Sequence, residues 1–233
     1  MTTLDFDRFD VLTFDCYGTL IDWETGIVSA LRSILDAHQV TASDEQVLET
    51  FARHEAVIEA GPYRRYREVL AECLDRIGAD LGFAATDAER EAFAASVADW
   101  PAFSDSPAAL RELKRRFKLA VITNCDDDLF AGSKARLDVD FDWVVTAQQA
   151  GAYKPSHRNF ERAFETIDAP RERILHVAQS LFHDHVPAKE LGMTTVWIDR
   201  RGDRPGSGAT PPAEARPDLT LPDMRSLADL AEA

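Results

Sequence analysis

Asp15, the pair Thr123 and Asn124, Lys154, and Ser180 with Asp184 are the residues whose types and placement could do chemistry. Asp15, Thr123 and Ser180 each lie at the end of a short apolar run, and Lys154 lies in the loop after another. Two carboxylates and an ammonium drawn to one place would supply a nucleophile, a cation that holds it ionised, and a group able to position or deprotonate water. Each residue also has a purely structural reading. Asp15 could cap a turn, Lys154 could be a solvated loop charge, Asp184 could cap the helix that starts near Val186, and Thr123 could simply end a strand.

The elements that must position these residues alternate along the chain. Val11 to Phe14, Leu119 to Thr123, Trp143 to Thr146, Ile174 to Ala178 and Thr194 to Ile198 read as buried strands, the later ones each preceded by a helix-like segment. That pattern predicts a doubly wound, Rossmann-like α/β core with a parallel sheet covered on both faces. In such sheets ligands bind beyond the carboxyl ends of the strands, where the polar residues collect.

Between the first two strands, residues 21–100 show helical patterns and no convincing strand, and this insert reads as a helical cap domain. The core is then 1–20 with 101–233. Ser43 with Gln46 and Thr86 with Glu89 predict capping boxes, and Gly61-Pro62 breaks one cap helix from the next. Ser106-Pro107 predicts a helix N-cap with proline at the first helical position. Residues 200–217, rich in Gly, Pro and Ala, read as a long exposed connector, followed by a last strand and helix over 219–231.

Bulk composition narrows the function. With 233 residues, 45% apolar and 29% charged, the chain can bury a substantial core. Its formal charge of -15 repels phosphate backbones and anionic membrane surfaces, so neither nucleic acid nor membrane is expected as a partner. Cys16, Cys73 and Cys125 have no CxxC spacing. A cytoplasmic protein is expected, since the acidic start MTTLDFDRFD lacks the basic, apolar pattern of a signal peptide.

In order along the chain, FDCYGTLID, VITN, YKPS and HVAQSLFHD resemble the four motifs of the haloacid dehalogenase superfamily. The resemblance implies a Rossmann-like core closed by a helical cap. Magnesium-dependent phosphatases of that superfamily carry a second aspartate two residues after the nucleophile and an aspartate in the fourth motif. Here those places hold Tyr17 and Gln179. A neutral Gln offers little to Mg2+, which prefers carboxylate oxygens and water. The Asp-x-Tyr-Gly-Thr start resembles instead the metal-independent (S)-2-haloacid dehalogenase branch, for which no cofactor or metal is expected.

That resemblance implies displacement of halide from C2 of a small 2-haloacid by Asp15, with inversion, followed by hydrolysis of the ester at the Asp15 carbonyl. Halide leaves without a proton, so no acid is needed at position 17. Lys154 would hold Asp15 ionised, and Asp184 would handle the water. Tyr17, Thr19, Thr123, Asn124 and Ser180 would line the substrate pocket, with backbone amides near Tyr17 and Gly18 holding the substrate carboxylate. A cap arginine would receive the halide: Arg53 is the choice, against Arg32, Arg64, Arg65 and Arg67, since the run Tyr63 to Arg67 reads as a solvated face. Leu181 stands where the branch commonly has Asn. A homodimer is expected. His183 and His185 flank Asp184, but adjacent side chains diverge, which disfavours a metal site. The competing readings are a phosphatase with a weak metal site, a non-catalytic binder that keeps the pocket, and opening of a strained ring at carbon.

Overall fold

Strand β1, Val11–Phe14, is buried at every position, and so is β4, Ile174–Ala178, as befits strands covered on both faces. They pair in parallel at the centre of a six-stranded sheet ordered β3-β2-β1-β4-β5-β6, in which every pairing is parallel. The other strands are β2 (Lys118–Thr123), β3 (Trp143–Thr146), β5 (Thr194–Ile198) and β6 (Leu219–Leu221). The strand order reverses between β1 and β4, and such a switch point opens a crevice at the carboxyl ends of the two strands. Asp15 follows β1, and Ser180 and Asp184 follow β4, one on each side of it. These features come from a computed structural model that describes residues 4–232; residues 1–3 and 233, at the two ends of the expected core, lie outside them.

The insert after β1 is helical, as its pattern predicts: α1 (Trp23–Ala37), α2 (Asp44–Glu59), α3 (Tyr66–Leu81) and α4 (Asp87–Ala95). Both capping boxes form, Ser43 with Gln46 and Thr86 with Glu89, each satisfying amides that the first turn leaves free. The segments entering and leaving the insert meet at an antiparallel bridge between Ile21 and Ala102. Trp100 lies there edge-on to Tyr17, with ring centroids 5.6 Å apart, so the neck of the cap packs against the turn that carries the site.

The helices of the core are α5 (Ser106–Leu113), α6 (Asp127–Leu137), α7 (Ala147–Ala150), α8 (His157–Thr166), α9 (Val186–Glu190) and α10 (Met224–Glu232). Helix α5 starts one residue earlier than its sequence signal, with Asp105 rather than Ser106 at the N-cap. The Asp105 carboxylate instead accepts from the amides of Met224 and Arg225 and pairs with Arg200, tying α10 to the core.

The connector after β5 departs from its expectation. Arg201 pairs with Glu24 of α1 (2.7 Å) and Glu45 of α2 (3.2 Å), and the amide of Ala209 donates to Glu24. Ala209 and Thr210 are buried. Composition marks this segment as irregular, but its charged residues strap it to the cap rather than leaving it as a free connector.

Candidate active site

The turn after β1 folds tightly because Gly18 adopts φ +91°, where a β-carbon would be strained and would also lie 3.0 Å from Trp23 Nε1 and 3.1 Å from Gln179 Oε1. The turn leaves Asp15 almost wholly buried. Its Oδ2 accepts a 2.7 Å hydrogen bond from the Thr19 hydroxyl, and its Oδ1 accepts one of 2.8 Å from Lys154 Nζ.

Lys154, 1% exposed, also donates to Asp184 Oδ1 (2.7 Å) and to the Ile122 carbonyl (2.9 Å). Asp184 sits in a wide π-type turn, Leu181–His185, in which the His185 amide reaches back to the Ser180 carbonyl (3.2 Å). The capping oxygen of that turn is Ser180 Oγ, bonded to the His183 amide, which leaves the Asp184 carboxylate for Lys154. His176 of β4 completes the floor, with Nε2 3.0 Å from Asp184 Oδ1 and Nδ1 2.9 Å from the Thr13 hydroxyl. With Nε2 protonated, the ring donates to the carboxylate and accepts from Thr13.

One cation between two carboxylates divides its pull. Burial works against the charge on Asp184, but Lys154 and the His176 hydrogen bond outweigh it and hold that carboxyl well below the usual range. Burial lifts Asp15 above its ordinary value; the neighbouring negative charge of Asp184 adds to the lift, while Lys154 and Thr19 oppose it. Lys154 is desolvated as well, yet the two carboxylates keep its ammonium protonated beyond its usual range. Asp15 is therefore the more basic carboxylate of the pair. Asp184 Oδ2, buried and without a hydrogen-bond partner, is the spare acceptor.

Above this floor, α1, α2 and α3 of the cap contribute Trp23, Glu55, Glu59 and Tyr66 to a small cavity of about 20 Å³ that also touches Tyr17, Asn124, Ser180 and His183. A volume of that order holds about one water. On the far side of Glu59, Lys154 and His183 lies a vestibule of about 470 Å³ between the end of α2 and the loop around Pro155. Glu55 accepts a 2.5 Å hydrogen bond from the Tyr66 hydroxyl, and burial pushes its carboxyl up to about 8. Glu59 is raised well above its ordinary value by burial and by the proximity of Glu55.

The expected pocket residues separate on inspection. Tyr17, Asn124 and Ser180 line the cavity. The Tyr17 hydroxyl, however, is bonded to Cys125 and Ser133, and burial raises it far above its usual range. Asn124 is committed to the protein: its Oδ1 accepts from the Lys154 amide, and its Nδ2 donates to the Lys154 carbonyl and Glu59. Thr19 contacts Asp15 and the Gln179 amide, not the cavity. Thr123 points into the protein, its hydroxyl buried and unpartnered. The Gly18 amide is engaged by the Ile21 carbonyl (2.8 Å) and so is not free to hold a substrate carboxylate.

Arg53 requires correction. Its side chain is 60% exposed and pairs with Asp80 of α3, on the outer face of the cap. Its competitors are engaged elsewhere too: Arg32 with Asp44, Arg64 with Glu72, Arg65 with Gln148 and Arg67 with Asp128. No arginine lines the cavity among the described residues. The run Tyr63 to Arg67 is two-faced, with its arginines outward and Tyr66 buried under the cap. Glu55, Glu59 and His176 are the site residues that the sequence reading missed.

The Lys154 ammonium, 2.8 Å from Asp15 and 2.7 Å from Asp184, already occupies the two carboxylates that a divalent cation would need. Among the described residues no group of three or more His, Cys, Asp or Glu could hold a metal, and the Gln179 side chain accepts from Thr210. His183 and His185 diverge, to Ser180 Oγ and the Ala178 carbonyl respectively.

A family model for haloacid dehalogenase-like hydrolases matches residues 9–181. The chain belongs to that family. Its relatives within it divide by chemistry. An (S)-2-haloacid dehalogenase of Pseudomonas sp. strain YL is 36% identical over 104 residues, which is 43% of this chain and 44% of that one. The phosphatase YigB of Escherichia coli K12, acting on 5-amino-6-(5-phospho-D-ribitylamino)uracil, is 29% identical over 96% of both chains. The fold is shared with the L-2-haloacid dehalogenase of Xanthobacter autotrophicus, at a TM-score of 0.81 and 19% identity over 97% of this chain and 99% of that one. No helix among the described residues is long and apolar enough to cross a membrane.

Proposed function

We propose that the protein hydrolyses short 2-haloalkanoic acids to 2-hydroxy acids, with Asp15 as a covalent nucleophile. The observation that carries this reading is the pairing of a buried, raised carboxylate at Asp15 with a Tyr17 hydroxyl locked onto Cys125 and Ser133. Position 17 supplies no proton to a leaving group, so a leaving group that needs none is favoured. Among the described residues lining the cavity, a phosphate dianion would meet one cation, Lys154, already shared between two carboxylates.

An Asp15 oxygen attacks C2 from the side opposite the halogen, the carbon–halogen bond breaks with both electrons on the halide, and C2 inverts. Water then adds to the Asp15 carbonyl carbon and gives its proton to the spare Oδ2 of Asp184. The ester's carbon–oxygen bond on the Asp15 side breaks, the departing alkoxide oxygen takes the proton back from Asp184, and the 2-hydroxy acid leaves; the second water proton is released to solvent, which restores the Asp15 carboxylate. Thr19 and Lys154 keep the nucleophile oriented throughout. Three buried, unpaired cysteines suit a reducing compartment such as the cytoplasm. The protein is expected to act as a homodimer, which sedimentation checks.

The test is halide release from 2-chloropropionate in the presence of a chelator. Release that survives chelation supports the reading. Its absence, together with magnesium-dependent hydrolysis of p-nitrophenyl phosphate, would assign the chain to the phosphatase side of its family.

A further inference from the structure

The cap presents acids where an anionic ligand calls for a donor. Glu55 and Glu59 sit one turn apart on α2, both line the cavity over Asp15, and no arginine accompanies them there. Glu59 also lines the vestibule, so it stands at the passage between the two spaces. Its Oε2 accepts from Asn124 Nδ2 (3.1 Å), while its Oε1 is shut off from solvent and has no partner. An undissociated carboxyl carries its proton on the oxygen that is not accepting an N–H, here Oε1, and becomes a donor.

We propose that Glu59 is the anion-receiving residue of the cap, donating a hydrogen bond from Oε1 of its undissociated carboxyl to the anion bound above Asp15. The identity of that anion rests on the dehalogenation reading: it is the substrate carboxylate or the departing halide. The free oxygen follows from the geometry, and its proton from the burial that raises the carboxyl.

The surroundings keep Glu59 neutral. On its own helix it faces Glu55, an acid with no cation beside it. From the core it faces Lys154, whose charge is divided between Asp15 and Asp184, and the neutral amide of Asn124. His183, from the turn after β4, is held down to about 4 by burial and is uncharged. Tyr66 of α3 donates to Glu55, and Tyr63 and Tyr153 on the vestibule side stay un-ionised because burial raises both. Arg158, also on the vestibule, is an exposed cation at the outer end. An anion arriving above Asp15 favours the neutral form of Glu59 further, because it repels the carboxylate and accepts from the acid.

The experiment is calorimetric titration of wild type, Glu59→Gln and Glu59→Leu with chloride and with 2-hydroxypropionate across the pH range, in buffers of differing ionisation heat. Wild type is expected to bind about tenfold more weakly per pH unit once Glu59 ionises, and to take up a proton on binding in that range. Glu59→Gln keeps an N–H donor that cannot ionise, so it should bind within about tenfold of wild type near pH 6, with a flat profile and no proton uptake. Glu59→Leu should bind at least about tenfold more weakly, also with a flat profile. A response to chloride alone assigns Oε1 to the leaving halide; a response to 2-hydroxypropionate alone assigns it to the carboxylate. Wild-type pH dependence retained in Glu59→Gln, undiminished binding by Glu59→Leu, or no binding of either anion at any pH overturns the proposal. If halide release fails while anion binding still follows Glu59, the dehalogenation reading falls and this inference stands.

Discussion

The floor and the roof of the pocket bury acids by opposite means. On the floor, Asp15 and Asp184 share the Lys154 ammonium, and charge is kept inside the protein by pairing it. In the roof, Glu55 and Glu59 accept no hydrogen bond from a cation, and burial raises both carboxyls well above their ordinary range. The same residue chemistry therefore gives a lysine-paired carboxylate pair below and burial-raised carboxyls above. The difference lies in one lysine.

Removing that lysine should break the contrast. Lys154→Met leaves two buried carboxylates face to face, which should cost about 3–5 kcal/mol of stability and lower halide release by about 100- to 1,000-fold or more. Urea unfolding and a halide assay check the two effects, and a variant of wild-type stability would show that the charges are not held by pairing.

The roof predicts the reverse response to pH. The folded carboxyl of Glu55 is raised from 4.5 to about 8, so between those values the native state binds more protons than the unfolded chain. Its contribution to stability is then present at low pH and lost as pH climbs through that window. Glu55→Gln should remove the loss, gaining on the order of a few kcal/mol at pH 9 relative to pH 5 when each is compared with wild type. Thermal melts at the two pH values measure it. Equal shifts at both would mean that Glu55 is charged in the fold.

Smaller effects sharpen the picture. Thr19→Val removes a 2.7 Å hydrogen bond to Asp15 and should slow halide release by about tenfold with a stability loss near 1 kcal/mol. Steady-state rates and urea curves separate the two. Arg53→Ala should change stability by less than about 1 kcal/mol and halide release by less than about twofold, because its pair with Asp80 is exposed. A large fall in rate there would return the halide to Arg53.

Much of the floor was readable in the sequence and much of the roof was not. Asp15, Lys154 and Asp184 follow strands whose apolar runs are local signals, and the sheet order then brings them together. The roof also left a trace. The apolar stripe of α2 runs Val47, Leu48, Phe51, Ala52, Ile58, and Glu55 falls on it at helical spacing. Arg53, two residues earlier, lies about 200° around the helix from Glu55 and so belongs to the opposite face. His176 was visible as a lone polar ring within the buried run Ile174–Ala178. The partners of Arg201, by contrast, lie more than 150 residues away, and no local pattern announces them.

In the proposed reaction Asp15 forms an ester with C2 of the substrate. Its most direct test is mass spectrometry of the peptide containing Asp15 after single turnover of 2-chloropropionate in 18O-labelled water. With such an ester, 18O is expected in the Asp15 carboxylate, with unlabelled oxygen in the first 2-hydroxypropionate released. Label in that first product, with none at Asp15, would show that water attacks the substrate directly and would contradict it.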